Sequence, residues 1–554
     1  MIIMKINDMK SKKNIICFLV ILFFTLVSCN DSLLDEEHPT DVTTDFLYTT
    51  PDGLRSAITG LYDLHRSLIN GNNSQEFASV NCDGGTDITI TINGNTGHAR
   101  YREIADQFMS KDGAIKNYWK FWYNIIERTN SIIIYGEESL ADNEEKETIL
   151  REAYLYRGYA YLWLVRRWGN VWLNLEPTTI DNLTNRVYEP ADSAQVWAQV
   201  ISDLETAIDY YKGDWSYTPG RLNLGVAHML RADVALWQKD WDVAIEHAEK
   251  VYNEGPFALA DVDKVFNGRK NNTSESMFVI QYDAYAVGGG SKNRIGLQIN
   301  PLISQGKVQG VLSDVLDNCN YGWGRMGAND YLMGLYDKEN DKRYNDYWRT
   351  IYKFNDADFD FSSKSYDYGD TITLASIGKS TATDAVRYLL PACKKYFDLD
   401  ARAPLSNSKM YNNIYIFRYP WVLLVAAEAY MGKGDVGMAT KYINELRENR
   451  IDGPTATLSS VTEDDILDEY ARELGMEGYR WELLKRHGKL VERVRLHNGQ
   501  KTFTDAAGLT VPLREEYTES RTNIQDYMRL WPIPYQDLLS MGETFPQNPG
   551  YKRE

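Results

Sequence analysis

The chain has 554 residues, with 60 Lys and Arg against 78 Asp and Glu, a net charge of −18, and five cysteines. Such an acidic surface cannot grip a phosphate backbone, so no nucleic acid is expected as a partner, and the charge chiefly serves solubility and disfavours anionic ligands. The length calls for two or more domain-sized units, unless a helical array runs on as one body.

Lys5, Lys10, Lys12 and Lys13 precede an apolar run from Ile15 to Val27. That run is too short to span a bilayer comfortably and has the length of a signal-peptide core. It ends on Leu26-Val27-Ser28-Cys29, which resembles the lipobox of bacterial lipoproteins. Residues 1–28 therefore read as a lipoprotein signal peptide and Cys29 as the lipidated residue, the alternative being an uncleaved anchor or a free thiol. At about 0.8 kcal/mol per buried methylene, several acyl chains hold a protein on a membrane where one would not. Cleavage leaves 526 residues and takes away four lysines and Asp8, moving the net charge to −21. No later stretch reaches the roughly 18 apolar residues that a second span needs. Cys17 leaves with the signal, and Cys82, Cys319 and Cys393 remain. Three cysteines are too few for a disulfide framework and read as ordinary buried thiols.

Residues 29–45, opening on the polar and acidic stretch Asn30 to Pro39, suit a tether. Residues 46–255 are read as an N-terminal helical part. Thr49-Thr50-Pro51-Asp52 marks a helix start, and Leu54, Ile58, Leu61, Tyr62 and His65 follow at spacings of three and four. Trp119 to Ile134 and Glu152 to Trp168 keep the same period. Val196 to Tyr211 carries one apolar face, Leu224 to Trp237 forms the next helix, and Ala244, Ile245, Ala248, Val251 and Tyr252 mark a third. Small residues packed among large aromatics are the texture of tetratricopeptide-like helical pairs.

Residues 256–415 change character. Met277 to Tyr282 reads as a strand, Gly288-Gly289-Gly290 as a loop, and 354–382 as an irregular excursion. Loops held on a rigid scaffold concentrate binding residues, so this segment is the expected ligand-binding excursion. In residues 416–554 the helical texture returns at Trp421 to Tyr430, turns at Gly434-Asp435 and resumes with Ala439, Ile443 and Leu446. The expected fold class is mostly α, a tetratricopeptide-like scaffold of helical pairs with irregular loop-rich insertions and a few short strands.

Further motifs stand in order along the chain. They are Glu152 to Tyr159; Arg167-Trp168-Gly169-Asn170-Val171; Gly220-Arg221-Leu222; Ser274-Glu275-Ser276-Met277-Phe278; Asp341-Lys342-Arg343; Phe417-Arg418-Tyr419 with Ala426 to Tyr430; Glu473 with Glu477 to Arg480; Trp531-Pro532-Ile533-Pro534; and Gln547 to Tyr551. Together with the lipobox they resemble the SusD/RagB family of outer-membrane nutrient-binding lipoproteins over nearly all of the mature chain. Pro420-Trp421 departs from the family, where an acidic residue often follows Arg-Tyr. The resemblance implies a surface lipoprotein that captures an oligosaccharide or peptide and closes as a lid over a SusC-like TonB-dependent channel.

Motifs for chemistry are weak. Gly322-Trp323-Gly324-Arg325-Met326-Gly327 satisfies the dinucleotide pattern as a string, yet loop-like residues precede it where a strand is required. Gly378-Lys379-Ser380 lacks the leading glycine of a phosphate loop. Asp356, Asp358, Asp360 and Asp367 imitate a calcium loop, but Phe361 replaces its glycine, so a surface carboxylate cluster is the reading. His38, His65, His98, His228, His247, His487 and His497 form no pair at metal spacing, and His65, His228 and His247 fall on helices as scaffold residues. Glu473 and Glu477, beside Arg472 and Arg480, are explained by capping and ion pairing. No catalytic residue, cofactor or metal is therefore assigned.

A sugar presents an apolar C–H face and a polar rim, so an aromatic ring flanked by donors and acceptors is its expected receptor. Tyr321, Trp323 and Arg325 fit within one glycine-rich turn. The regions that line the site in the family add Tyr282 and Tyr285 before the triple glycine, and Asn81, Asp83, Asn95 and Arg100 in the early polar loop. Two rival readings are a surface glycosidase working through distant carboxylates and a helical interaction scaffold with no small ligand.

Overall fold

A computed structural model of the chain describes residues 44–69, 80–92, 104, 113–141, 143–266, 272–283, 286, 293–305, 307–314, 316–399 and 410–553. The chain separates into two compact units, residues 1–47 and 48–554. Of the first, residues 44–47 alone are described, at the start of helix Thr44–Thr49. Cys29, the signal segment and nearly all of the tether lie outside the described residues.

In the second unit, helix α1 (Pro51–Ile69) starts at the predicted signal. Thr50 Oγ1 accepts the Gly53 amide at 3.0 Å. Pro51 occupies the first helical position, where a missing N–H leaves nothing unbonded. α2 (Gly113–Ser139) and α3 (Glu144–Trp168) pack along each other. The Asn143 side chain caps α3, Glu144, Glu145 and Glu147 fill its first turn, and Arg166 and Arg167 close it, each charge opposing the helix dipole. α4 (Ser193–Tyr211) lies on α3; of the face expected from Val200, Ile201, Leu204, Ala207, Ile208 and Tyr211, Ile201 and Ile208 are only partly buried, and Val196 joins the buried four.

α5 (Leu224–Gln238) and α6 (Trp241–Glu254) form a hairpin, as do α7 (Pro420–Lys433) and α8 (Val436–Arg450). Both hairpins use the same local device, a left-handed residue (Lys239, Gly434) followed by an aspartate (Asp240, Asp435) that caps the second helix. α6 packs against α7, so two pairs far apart in sequence stack as neighbours. This is the pair-on-pair architecture expected from the sequence. α9 (Glu463–Leu474), α10 (Arg480–Arg486) and α11 (Leu490–His497) follow.

Among the described residues strands occur as four antiparallel pairs: β1 (Thr89–Thr91) with β3 (Met326–Ala328), β2 (Ser276–Ile280) with β6 (Ile414–Arg418), β4 (Trp348–Arg349) with β5 (Ala392–Cys393), and β7 (Thr502–Thr504) with β8 (Thr510–Pro512). The loop-rich segment has a core of its own. Ile90, Val311, Tyr352, Phe354, Leu374, Leu390 and Phe503 meet there, and Phe354 stacks on Tyr366 at 3.8 Å. The 354–382 excursion is therefore packed into this core at several points. Cys82, Cys319 and Cys393 are buried.

Candidate functional site

The ordered motifs meet at one buried place. Register in the β2–β6 pair sets Ser276 opposite Arg418, and the Tyr419 amide donates to the Glu275 carbonyl at 2.9 Å. Arg418 reaches Glu275 at 3.1 Å, Glu477 at 2.8 Å, and Glu473. Arg343 spans Asp341 at 2.9 Å, Glu469 at 2.6 Å and Glu473 at 3.0 Å. Arg450 meets Glu473 at 3.1 Å and Glu275 at 2.5 Å, and the Tyr347 hydroxyl donates to Glu473 at 3.0 Å. Burial alone would raise the Glu473 carboxyl, but Arg450, Arg418 and Arg343 outweigh it and hold it well below the usual range. Glu469 is held at about 2 in the same way, by Arg343, Arg472 and Arg447 acting against burial.

This corrects the expected partners of Glu473 and Glu477. Arg472 pairs with Glu469 instead, and Arg480 with Asp87. The partners of Glu473 come from three other segments of the chain, which spacing along one helix cannot reveal. The Trp-Gly turn and the terminal signature interlock similarly. Trp168 Nε1 donates to the Pro532 carbonyl at 2.9 Å, and Asn548 donates to the carbonyls of Trp168 and Trp531 at 2.9 and 2.7 Å.

Two histidines with no metal spacing in the sequence are brought together by the fold. His228 and His247, on successive helices, bring their Nδ1 atoms to 2.8 Å. Burial lowers both, His228 to about 4 and His247 to about 3, with Lys250 adding to the first and His228 itself to the second. Among the described residues no group of three or more His, Cys, Asp and Glu could hold a metal.

The predicted binding residues divide into three sets. Tyr285, Asn95 and Arg100 lie outside the described residues. Asp83 and Tyr282 are buried, at 2% and 4% exposure. Asp83, with φ at 58°, accepts the Met476 amide at 2.7 Å and the Arg480 amide at 2.9 Å, and burial pushes its carboxyl up to about 7 against those amides. It brackets the scaffold rather than a ligand, because both oxygens are spent on backbone. The Tyr282 amide donates to Asn413, and the Asn81 side chain donates to the Tyr118 hydroxyl at 2.7 Å.

Tyr321, Trp323 and Arg325 remain, all partly exposed on one extended segment. The amides of Trp323, Gly324 and Arg325 donate to the carbonyls of Leu297, Asn300 and Gln298 at 2.7, 2.7 and 2.9 Å. This seam explains the glycines. A Cβ on Gly322 would strike the Asn300 carbonyl, and one on Gly324, whose φ is +55°, would strike the carbonyl of Arg387. The Arg325 guanidinium lies 4.0 Å from the Trp323 ring centroid, and its Nη1 donates to Gln298 Oε1 at 2.9 Å. Burial and then the nearby Arg387 lower Arg325 to about 10. The Arg387 side chain donates from Nε to the Trp323 carbonyl at 3.1 Å. Sequence reasoning missed Arg387, which sits in the short helix Val386–Leu389 with no motif around it.

A cavity with an empty volume of about 890 Å³ lies elsewhere, lined by His65, Tyr159, Asp233, Tyr470, Glu482 and Arg486, and of the predicted binding residues that are described Asn81 alone is on its wall. Its charged groups hold one another: Arg486 pairs with Asp233 at 2.7 Å and Glu428 at 2.6 Å. A general acid for glycoside cleavage needs a raised pKa and room for substrate. Glu428, which burial raises but Arg486 and His487 draw down to about 2, meets neither need.

The fold is a mostly helical scaffold of stacked pairs carrying a loop-rich body with an aromatic and guanidinium turn. The chain belongs to the SusD family, whose profile matches residues 274–551, half of its length. A second profile, described as starch-binding associating with outer membrane, matches residues 33–219. SusD-like protein P2 of Formosa agariphila is 25% identical over 98% of this chain and 100% of its own length. Starch-binding protein SusD of Bacteroides thetaiotaomicron is 32% identical over 140 residues, 25% of this chain and 22% of its own length. Surface glycan-binding protein A from Bacteroides thetaiotaomicron shares the fold at a TM-score of 0.68 and 20% identity, covering 91% of this chain and 100% of that one. A laminarin binding SusD-like protein does so at 0.66 and 18%, covering 90% and 99%.

Proposed function

We propose that this chain is a surface lipoprotein of the outer membrane, anchored through Cys29. It binds glycans around Tyr321, Trp323 and Arg325 and passes them to a SusC-like TonB-dependent transporter without cleaving them. The observation that carries the binding role is the turn itself. Its backbone is fixed by three hydrogen bonds and two glycines that no side chain could replace, so a partly exposed indole is presented in one pose. Presentation of a rigid ring costs little entropy on binding and suits a sugar's C–H face. Family membership and relatives named for starch, laminarin and surface glycans support the class of ligand. The buried, arginine-held state of Glu428, Glu469 and Glu473 supports a role without catalysis.

The test is calorimetric titration of purified protein with neutral and acidic oligosaccharides, alongside reducing-sugar release. Binding that depends on Trp323, with no sugar released, is the expected result. Release of reducing ends would establish the glycosidase instead, and binding indifferent to Trp323→Ala would move the site elsewhere. Incorporation of labelled palmitate that is lost in Cys29→Ser tests the anchor, and co-purification with a transporter tests the partnership.

A further inference from the structure

Two guanidiniums gather at Trp323 with no carboxylate among the described residues paired to them. Arg325 lies over the indole ring and Arg387 donates to the indole residue's own carbonyl. Among the described residues neither forms an ion pair. The Arg325 side chain donates to Gln298 through Nη1, and its Nε has no partner among the described residues. Arg387 likewise has only Nε engaged, and Asp384, three residues earlier, makes no ion pair with it. Five buried arginines contrast with them: Arg157, Arg343, Arg418, Arg450 and Arg480 are each locked to acidic side chains. In a protein with 78 acidic residues against 60 basic ones, a pair of uncompensated arginines side by side repels itself unless something negative is brought to it.

We infer that the Trp323–Arg325–Arg387 turn recognises an acidic oligosaccharide, with a carboxylate or sulfate of the glycan seated against the two guanidiniums while a sugar ring packs on the indole. This rests on the glycan-binding reading above and narrows its ligand. The planar guanidinium fork matches a carboxylate or sulfate through paired hydrogen bonds, and a ring stacked on tryptophan keeps the fork in one plane. The chain's overall negative charge does not defeat this, because at physiological ionic strength fields fade over about 8 Å. The two adjacent guanidiniums then govern the local potential.

The experiment titrates the full-length mature protein with three hexasaccharides: maltohexaose as the neutral probe, hexagalacturonate as the uronate, and a chondroitin sulfate hexasaccharide as the sulfate ester. The expected result is that at least one acidic probe binds roughly tenfold more tightly than the neutral one and weakens as salt rises. Arg387→Gln should remove roughly tenfold of that affinity. Arg325→Lys should weaken it too, by giving up the planar fork. Which acidic probe responds separates uronate from sulfate. Binding of the neutral probe alone, or acidic binding that is the same in Arg387→Gln, overturns the inference. If Trp323→Ala still abolishes neutral binding in that case, the glycan site stands and only its acidic specificity falls. Preference for an acidic peptide such as hexaglutamate over all three sugars would overturn the glycan class as well.

Discussion

Two arginine-rich regions of this protein have opposite designs. Around Glu473, the guanidiniums of Arg343, Arg418 and Arg450 are fully buried and matched to carboxylates from three segments of the chain. Around Trp323, Arg325 and Arg387 are half-exposed and unmatched. A buried ion cluster adds little net stability over an apolar core, but removing one member leaves uncompensated charge where water cannot reach. It therefore enforces one arrangement of the segments it joins. The unmatched pair does no such work for the fold, so its charge is available to a ligand.

The largest effect that would break this contrast is on stability. Glu473→Ala should destabilise the protein by about 3–5 kcal/mol, since three guanidiniums lose their shared acceptor. Denaturant unfolding measures it, and a loss below about 1 kcal/mol would mean that water or a shift of the chain replaces the carboxylate. Trp323→Ala should do the reverse, lowering glycan affinity at least about tenfold, or ~1.4 kcal/mol, with unfolding shifted by no more than about 0.5 kcal/mol. Calorimetry paired with a melt separates the two.

Acid sharpens the comparison further. Glu428 and Glu469 are held at about 2 against an ordinary 4.5, so their stabilisation is complete above 4.5 and is lost as pH falls toward 2. His228 and His247 stand at about 4 and about 3 against 6.5, so the unfolded chain binds protons first and stability declines from 6.5 downward. Melting temperature should therefore fall in two stages on acidification. His228→Gln should flatten the stage between about 6.5 and 4 and leave the lower one; a single transition unaffected by that variant would show that the pair does not titrate as its burial implies.

The smallest effect concerns the acidic loop. Asp356 and Asp360 each accept a backbone amide two residues on, from Asp358 and Ser362, and the Asp367 amide donates to Asp370. Carboxylates used in local turns are not preassembled for a cation. Millimolar calcium should leave the melting temperature unchanged, and a calcium-dependent rise would place a site there.

Much of the scaffold was legible because helix signals are local. The stripe of α4, the α5–α6 and α7–α8 hairpins and their aspartate caps all follow from residues within a few positions of one another. The composition of Gly322 to Arg325 likewise marks a loop, but what makes it rigid comes from the carbonyls of Leu297, Gln298 and Asn300 in an earlier segment. Asp83 and Tyr282 misled because a polar or aromatic residue beside a loop looks the same in sequence whether it faces out or is folded under.

What the chain order could not show was which distant residues share a place. Glu473 is 130 positions from Arg343, 55 from Arg418 and 23 from Arg450, and Arg387 is 64 from Trp323. Periodicity and caps are written into neighbouring residues by backbone geometry, so the sequence alone settles them. Charge matching is a property of space: only the packed chain decides that one set of arginines meets its carboxylates in the interior while another is left without any at the surface.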